Sequence, residues 1–72
     1  MQTTSLHDLA AQSIALEVFR LTGHRVKVTA RRGGGSTKFW MGWNWFRAND
    51  VTDSAILLVA AQYFADIRRK AE

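Results

Sequence analysis

Three consecutive glycines, Gly33-Gly34-Gly35, separate two segments that alternate in polarity, and this arrangement steers the middle of the chain toward a β-hairpin. Before the triplet, residues 24–31 set Val26, Val28 and Ala30 on one face and Arg25, Lys27, Thr29 and Arg31 on the other. That is the period of a half-buried strand. Glycine adopts either sign of φ without steric cost, so residues 32–36 are expected to form the loop. Residues 37–45 read as the return strand. Phe39, Met41, Trp43 and Trp45 share one face of it, expected to be core, and Trp40, Gly42 and Asn44 share the other.

The hairpin is flanked by two helical patterns. Residues 5–22 repeat apolar side chains at Ala10, Ala11, Ile14, Ala15, Val18 and Leu21, which is helical spacing. Ser5 and Asp8 have the spacing of a capping box, and Gly23 suits the left-handed residue after a helix. The polar cluster Asn49, Asp50, Thr52 and Asp53 precedes a second helix that runs to about residue 70. Its apolar face is Ile56, Ala60, Tyr63, Phe64 and Ile67, widened by Leu57, Leu58, Ala61 and Ala65. A helix with so narrow a polar strip is expected to be buried on more than one side.

The expected fold is therefore α+β, in the order α-β-β-α, as a single domain over residues 1–72. Its core is expected at Ile14, Val18, Val26, Val28, Trp43, Ile56, Ala60, Phe64 and Ile67. Two strands alone make a poor sheet. Either both helices cover one face and a second copy completes the sheet, or the helices sandwich it. The apolar second helix and the open strand edges favour a homodimer.

A chain of 72 residues lies near the lower limit for a self-supporting core, and with no cysteine it has no disulfide or thiolate metal site to help. The longest unbroken apolar run, residues 55–61, is far short of the ~20 needed to span a bilayer. Residues 1–5 show no basic stretch of the kind that opens a signal peptide. These features predict a cytoplasmic protein that does not enter the membrane.

Charge is distributed unevenly. Between Glu17 and Asp50 there is no acidic residue, but there are seven basic ones: Arg20, Arg25, Lys27, Arg31, Arg32, Lys38 and Arg47. Five aromatics, Phe39, Trp40, Trp43, Trp45 and Phe46, fall in the same window. Cations beside aromatic rings suit a polyanion, and nucleic acid is the commonest. The candidate contact residues are Arg25, Lys27, Arg31, Arg32, Lys38 and Trp40. The partner is expected to be nucleic acid or a nucleoprotein complex, or else an acidic protein surface. The plainer reading of the same cations is a solvated strand face that discourages edge-to-edge aggregation.

Nothing in the sequence spells out catalysis. The glycine triplet lacks the Lys-Ser/Thr of a phosphate-binding loop. His7 and His24 have no metal-ligating neighbours at useful spacing, and Asp50 and Asp53 read as helix caps. Ser5, Ser13, Ser36 and Ser54 show no setting that would activate a nucleophile. The expectation is a non-enzymatic binding protein without metal or cofactor.

Residues 43–55 run from Trp43, Trp45 and Phe46 through Asn49, Asp50, Thr52 and Asp53 into Ser54 and Ala55. This run resembles small phage and prophage proteins of α-β-β-α "ABA sandwich" layout, in which an aromatic-ended second strand passes through a polar turn into an apolar helix. The similarity covers about a fifth of the chain, and the Trp-Asn-Pro start usual in that group is missing because the chain has no proline. The resemblance implies a phage or mobile-element origin and action in a host cytoplasm. It also implies an alternative function, an anti-CRISPR-like inhibitor of a host defence complex acting by protein–protein contacts. The element order also looks like a double-stranded RNA-binding domain short of one strand, with Thr52-Asp53-Ser54 where that family has a basic helix start.

Overall fold

The structure is a computed structural model and describes residues 5–71. Helix α1, Leu6–Thr22, begins where the capping signal lies: the Asp8 N–H donates to Ser5 Oγ at 3.2 Å. It ends at Gly23, which takes φ 76° and donates its N–H to the Phe19 carbonyl at 2.7 Å. Three strands follow, β1 (Thr29–Gly33), β2 (Ser36–Met41) and β3 (Asn44–Ala48), and helix α2, Ser54–Ala71, closes the fold. The sheet is antiparallel in the order β1-β2-β3. The α+β arrangement with terminal helices around an antiparallel strand region is thus present, with one more strand than the hairpin required.

The extra strand arises at Gly42. The alternation of residues 37–45 reads as one long strand, but Gly42 takes φ 63° and Trp43 does not follow it to positive φ. Positive φ at the first central residue only is the pattern of a type II′ hairpin turn. The chain reverses there, and β3 pairs back on β2 with Phe39 opposite Phe46 and Trp40 opposite Trp45. The first turn uses Gly34 and Gly35, both at positive φ, as a type I′ turn does. The second reversal also shortens β1. Its register would set Val28 opposite Met41, the last residue of β2, and Lys27 opposite Gly42 in the turn, and residues 24–28 precede the sheet instead of belonging to it.

Both helices lie on one face of the sheet, α1 over β1 and α2 over β3, and they pack against each other. The helices contribute Ala10 and Ala11, and Ala60, Ala61 and Ala65, to the core, all buried. Small side chains let helix axes approach closely, and the larger Ile14, Val18 and Phe64 fill the space toward the sheet. The sheet supplies Phe39, 0 % exposed, with Thr37 and Ala48 beside it. Val26, Val28, Ile56 and Ile67 are half-buried around this core. Trp43 does not belong to it: at the turn it is 96 % exposed. Nor is α2 buried on several sides, since Leu58, Val59 and Tyr63 are exposed. β3 supplies a third strand within the chain, so the sheet does not need a second copy to extend it beyond two strands.

Two polar contacts fix the ends of this frame. His7 Nδ1 and Thr37 Oγ1 lie 3.0 Å apart, joining the first turn of α1 to buried Thr37 of β2. Between β3 and α2, Asp50 Oδ1 accepts from the Thr52 hydroxyl at 2.6 Å and the Thr52 N–H at 2.8 Å. Asp53 then caps α2, accepting from the Ala55 N–H at 3.0 Å.

Phe39→Ala should cost about 3–5 kcal/mol of stability, whereas Trp43→Ala should stay within about ±0.5 kcal/mol, both measured by urea unfolding. The Thr52 hydroxyl, and then its N–H, hold the Asp50 carboxyl below its ordinary value of 3.8. A folded-state value below the unfolded one means that the stabilisation is complete above the ordinary value and lost as pH falls through the lower one. Asp50→Asn should therefore be less stable than the parent near about pH 5, with the difference closing toward about pH 2.

Candidate functional site

Side chains alternate along a strand, so the inward position of Phe39 sends its neighbours Lys38 and Trp40 to the opposite face of the sheet. Among the described residues, no helix covers that face. Directly opposite residues of an antiparallel pair share a face. The register therefore builds two rows across the three strands. Arg31, Lys38 and Arg47 form one, and Thr29, Trp40 and Trp45 form the next. The rows are about 7 Å apart along the strands.

The two tryptophans meet at 6.2 Å between ring centroids with their planes tilted by 40°. Trp45 also carries the cations: Lys38 Nζ lies 4.9 Å and Arg47 Cζ 5.7 Å from its ring centroid. Trp45 nevertheless remains 45 % exposed, and Trp40 is half-buried. The arrangement is a shallow aromatic floor with a row of positive charge along one side.

The electrostatics of this face are unbalanced. Residues 29–48 hold four basic side chains and no acidic one, while the other six basic side chains of the protein are matched by all six acidic ones. The whole formal charge of +4 thus resides on the sheet and its turns. Like charges directly opposite one another across strands destabilise a sheet. The Arg31–Lys38–Arg47 row places three in succession with no acid to offset them. Contacts of the cations with Trp45 offset part of that cost, at about 0.5–1 kcal/mol each. An anion lying on the face would remove the remainder.

The six residues picked from sequence divide three ways. Arg31, Lys38 and Trp40 come together on the open face. Arg32 pairs with Thr37, so it has the opposite orientation and is exposed beside the Gly34-Gly35 turn. Arg25 and Lys27 do not project from a strand beside Arg31, because residues 24–28 lie outside the sheet. The Arg25 guanidinium sits over Phe19, 5.8 Å from the ring centroid, and Arg25 and Lys27 line a groove at the end of the sheet. Sequence reasoning missed Trp45 and Arg47. Trp45 was assigned to the core, but the reversal at Gly42 turns it to the open face. The available signal was Gly42-Trp43 as a Gly-X hairpin turn between two aromatic segments.

The groove, of about 380 Å³, is lined by Arg25 and Lys27, by Met41, Gly42 and Trp43 at the second turn, and by Ile67 of α2. A more voluminous depression, about 580 Å³, lies against α1 and α2 among Ser13, Glu17, Leu57 and Leu58. Its charged residue, Glu17, is already paired with Arg20, so it offers nothing to an anion. Comparison of the chain with protein-family models, with curated proteins and with solved structures finds no match.

If the cation row is a cost to the free protein, Arg31→Thr should leave stability unchanged or raise it by up to about 0.5 kcal/mol. Any gain should shrink as salt screens the repulsion. Thermal melts at low and high salt measure both.

Proposed function

We propose that the protein binds nucleic acid, free or within a nucleoprotein complex, through the open face of its sheet, and that it does so without covalent chemistry. The observation that carries this reading is the juxtaposition of the Arg31–Lys38–Arg47 row with the Trp40–Trp45 pair on a face that, among the described residues, has no acid in its strands and no helix over it. The cations supply phosphate contacts that release counterions, and the rings supply surfaces on which bases stack. Magnitudes favour exchange at Trp45. A base stacked on an aromatic ring contributes about 1–3 kcal/mol, against about 0.5–1 kcal/mol for an exposed cation over the same ring. A base can therefore displace Lys38 or Arg47 from the Trp45 ring and leave the cation beside the adjoining phosphates.

A second reading is a protein-directed inhibitor, of the anti-CRISPR kind suggested by the resemblance to phage proteins. It is favoured by the exposed apolar residues of the helical layer: Leu6 and Leu16 on α1 are 62 % and 69 % exposed, and Val59 on α2 is 53 % exposed. Such residues suit a protein partner or a second copy of the chain. No helix among the described residues is long and apolar enough to cross a membrane.

Salt separates the two readings. Three phosphate contacts predict that log K falls against log salt with a slope of roughly −2 to −3, whereas an apolar protein interface is nearly insensitive. The variant combining Arg31→Glu, Lys38→Glu and Arg47→Glu should melt like the parent and lose nucleic-acid binding. If it binds an oligonucleotide as well as the parent does, the open face is only a solvated surface.

A further inference from the structure

We infer that the ligand is single-stranded nucleic acid, and that the groove beside the Gly42-Trp43 turn is a second subsite that takes the nucleotide beyond the Trp40–Trp45 floor. This rests on the nucleic-acid reading of the open face and extends it in length and in strand number.

Three observations lead there. The first is order along the sheet. From the cation row one passes to the tryptophan row, and one further residue along β2 and β3, past the Met41–Asn44 pair, lies the Gly42-Trp43 turn. At the same end, the chain before Thr29 brings Lys27 and Arg25 to the groove that Trp43 lines. Cations and rings thus continue around the Gly42-Trp43 end of the sheet, from its open face to the helix-facing side where α2 also lines the groove. The second is Trp43 itself. A tryptophan that is 96 % exposed at a turn contributes nothing to the core, and the type II′ geometry asks for glycine at Gly42 and for nothing aromatic after it. It is an indole presented to solvent beside two cations. The third is charge: among the described residues none that lines the groove is acidic, and Arg25 and Lys27, both exposed, line it.

Strand number follows from the rings. A base can stack on Trp40, Trp45 or Trp43 only if its π-face is free, and in a duplex those faces are inside the stack. A duplex would meet the cations and leave the tryptophans unused. Trp43 and its cations could also suit an anionic lipid surface. The groove and the Trp40–Trp45 floor adjoin the same Gly42-Trp43 end of the sheet, the groove on the helix-facing side and the floor on the open side, and a flexible strand that bends around the turn reaches both where a flat lipid surface does not.

The test uses fluorescently labelled oligothymidylates of increasing length and a blunt duplex, with the parent and with Trp43→Ala, Lys27→Ala and Trp45→Ala variants. Each of these side chains is exposed or at a turn, and thermal melting confirms that each variant is folded. The parent should bind the longer single strands about tenfold or more tightly than the duplex. Its affinity should rise with length until the groove is filled and then level off. Trp43→Ala should remove about tenfold from the affinity for long oligomers and flatten the dependence on length. Lys27→Ala should lower that affinity and reduce the salt slope by about one contact. If Trp43→Ala and Lys27→Ala bind long oligomers like the parent while Trp45→Ala does not, the second subsite is overturned and the open-face reading survives. If the duplex binds as tightly as the single strand, the claim about strand number is overturned. If the parent binds neither, or prefers anionic vesicles in a manner lost with Trp43→Ala, the inference is overturned together with the reading on which it rests.

Discussion

The arrangement depends on the burial of one side chain, Phe39. It lies at the centre of β2, paired with Ala30 on one side and Phe46 on the other, beneath the two helices. Burying a phenylalanine contributes about 1.5–3 kcal/mol, and in a sheet with one covered face a slip of one residue would turn the whole inward set outward. That burial therefore fixes the register, and the register fixes what the other face presents. Lys38 and Trp40 face outward because Phe39 faces inward. Arg31, Arg47 and Trp45 join them because they are the cross-strand partners. The repulsion within the cation row is worth a few tenths of a kcal/mol to about 1 kcal/mol per pair. The core contribution is larger, so the sheet holds the row in place without an acid to relieve it.

Placing both helices on one face leaves the other without a covering helix among the described residues. Buried alanines of α1 and α2 let the helices sit side by side over a sheet only three strands wide, so a small chain can make a core without covering the sheet twice. An antiparallel sheet commonly exposes one face, and that face is usually simply polar. Here its centre holds Trp40 and Trp45, two large rings whose exposure adds nothing to the core. Where local choices run against stability in this way, a binding role is the usual compensation.

What could be read from the sequence was what local rules govern. The start of α1 at Ser5, its stop at Gly23, the turn at the glycine triplet and the cap at Asp53 all depend on contacts within a few residues. The reversal at Gly42 follows an equally local rule, yet it lay hidden because Trp43 and Trp45 continue the alternation begun at Phe39. That single misreading moved Trp43 into the expected core, reversed the orientation of Trp45, and kept Arg47 out of the site. The grouping of Arg25 and Lys27 with Arg31 failed for a related reason: the length of β1 is set by where β2 ends. The contact between His7 and Thr37, 30 residues apart, has no local signal.

The most direct test of the open face as the binding site is a two-dimensional NMR titration of the labelled protein with a short single-stranded oligonucleotide. Binding at the open face should shift the indole N–H signals of Trp40 and Trp45 and the amides of β2 and β3 together, saturating at one ligand concentration, while those of Leu6, Leu16 and Val59 on the helical layer stay still. Shifts confined to α1 and α2, with the two indole signals unmoved at saturation, would contradict it and would place the functional surface on the helices.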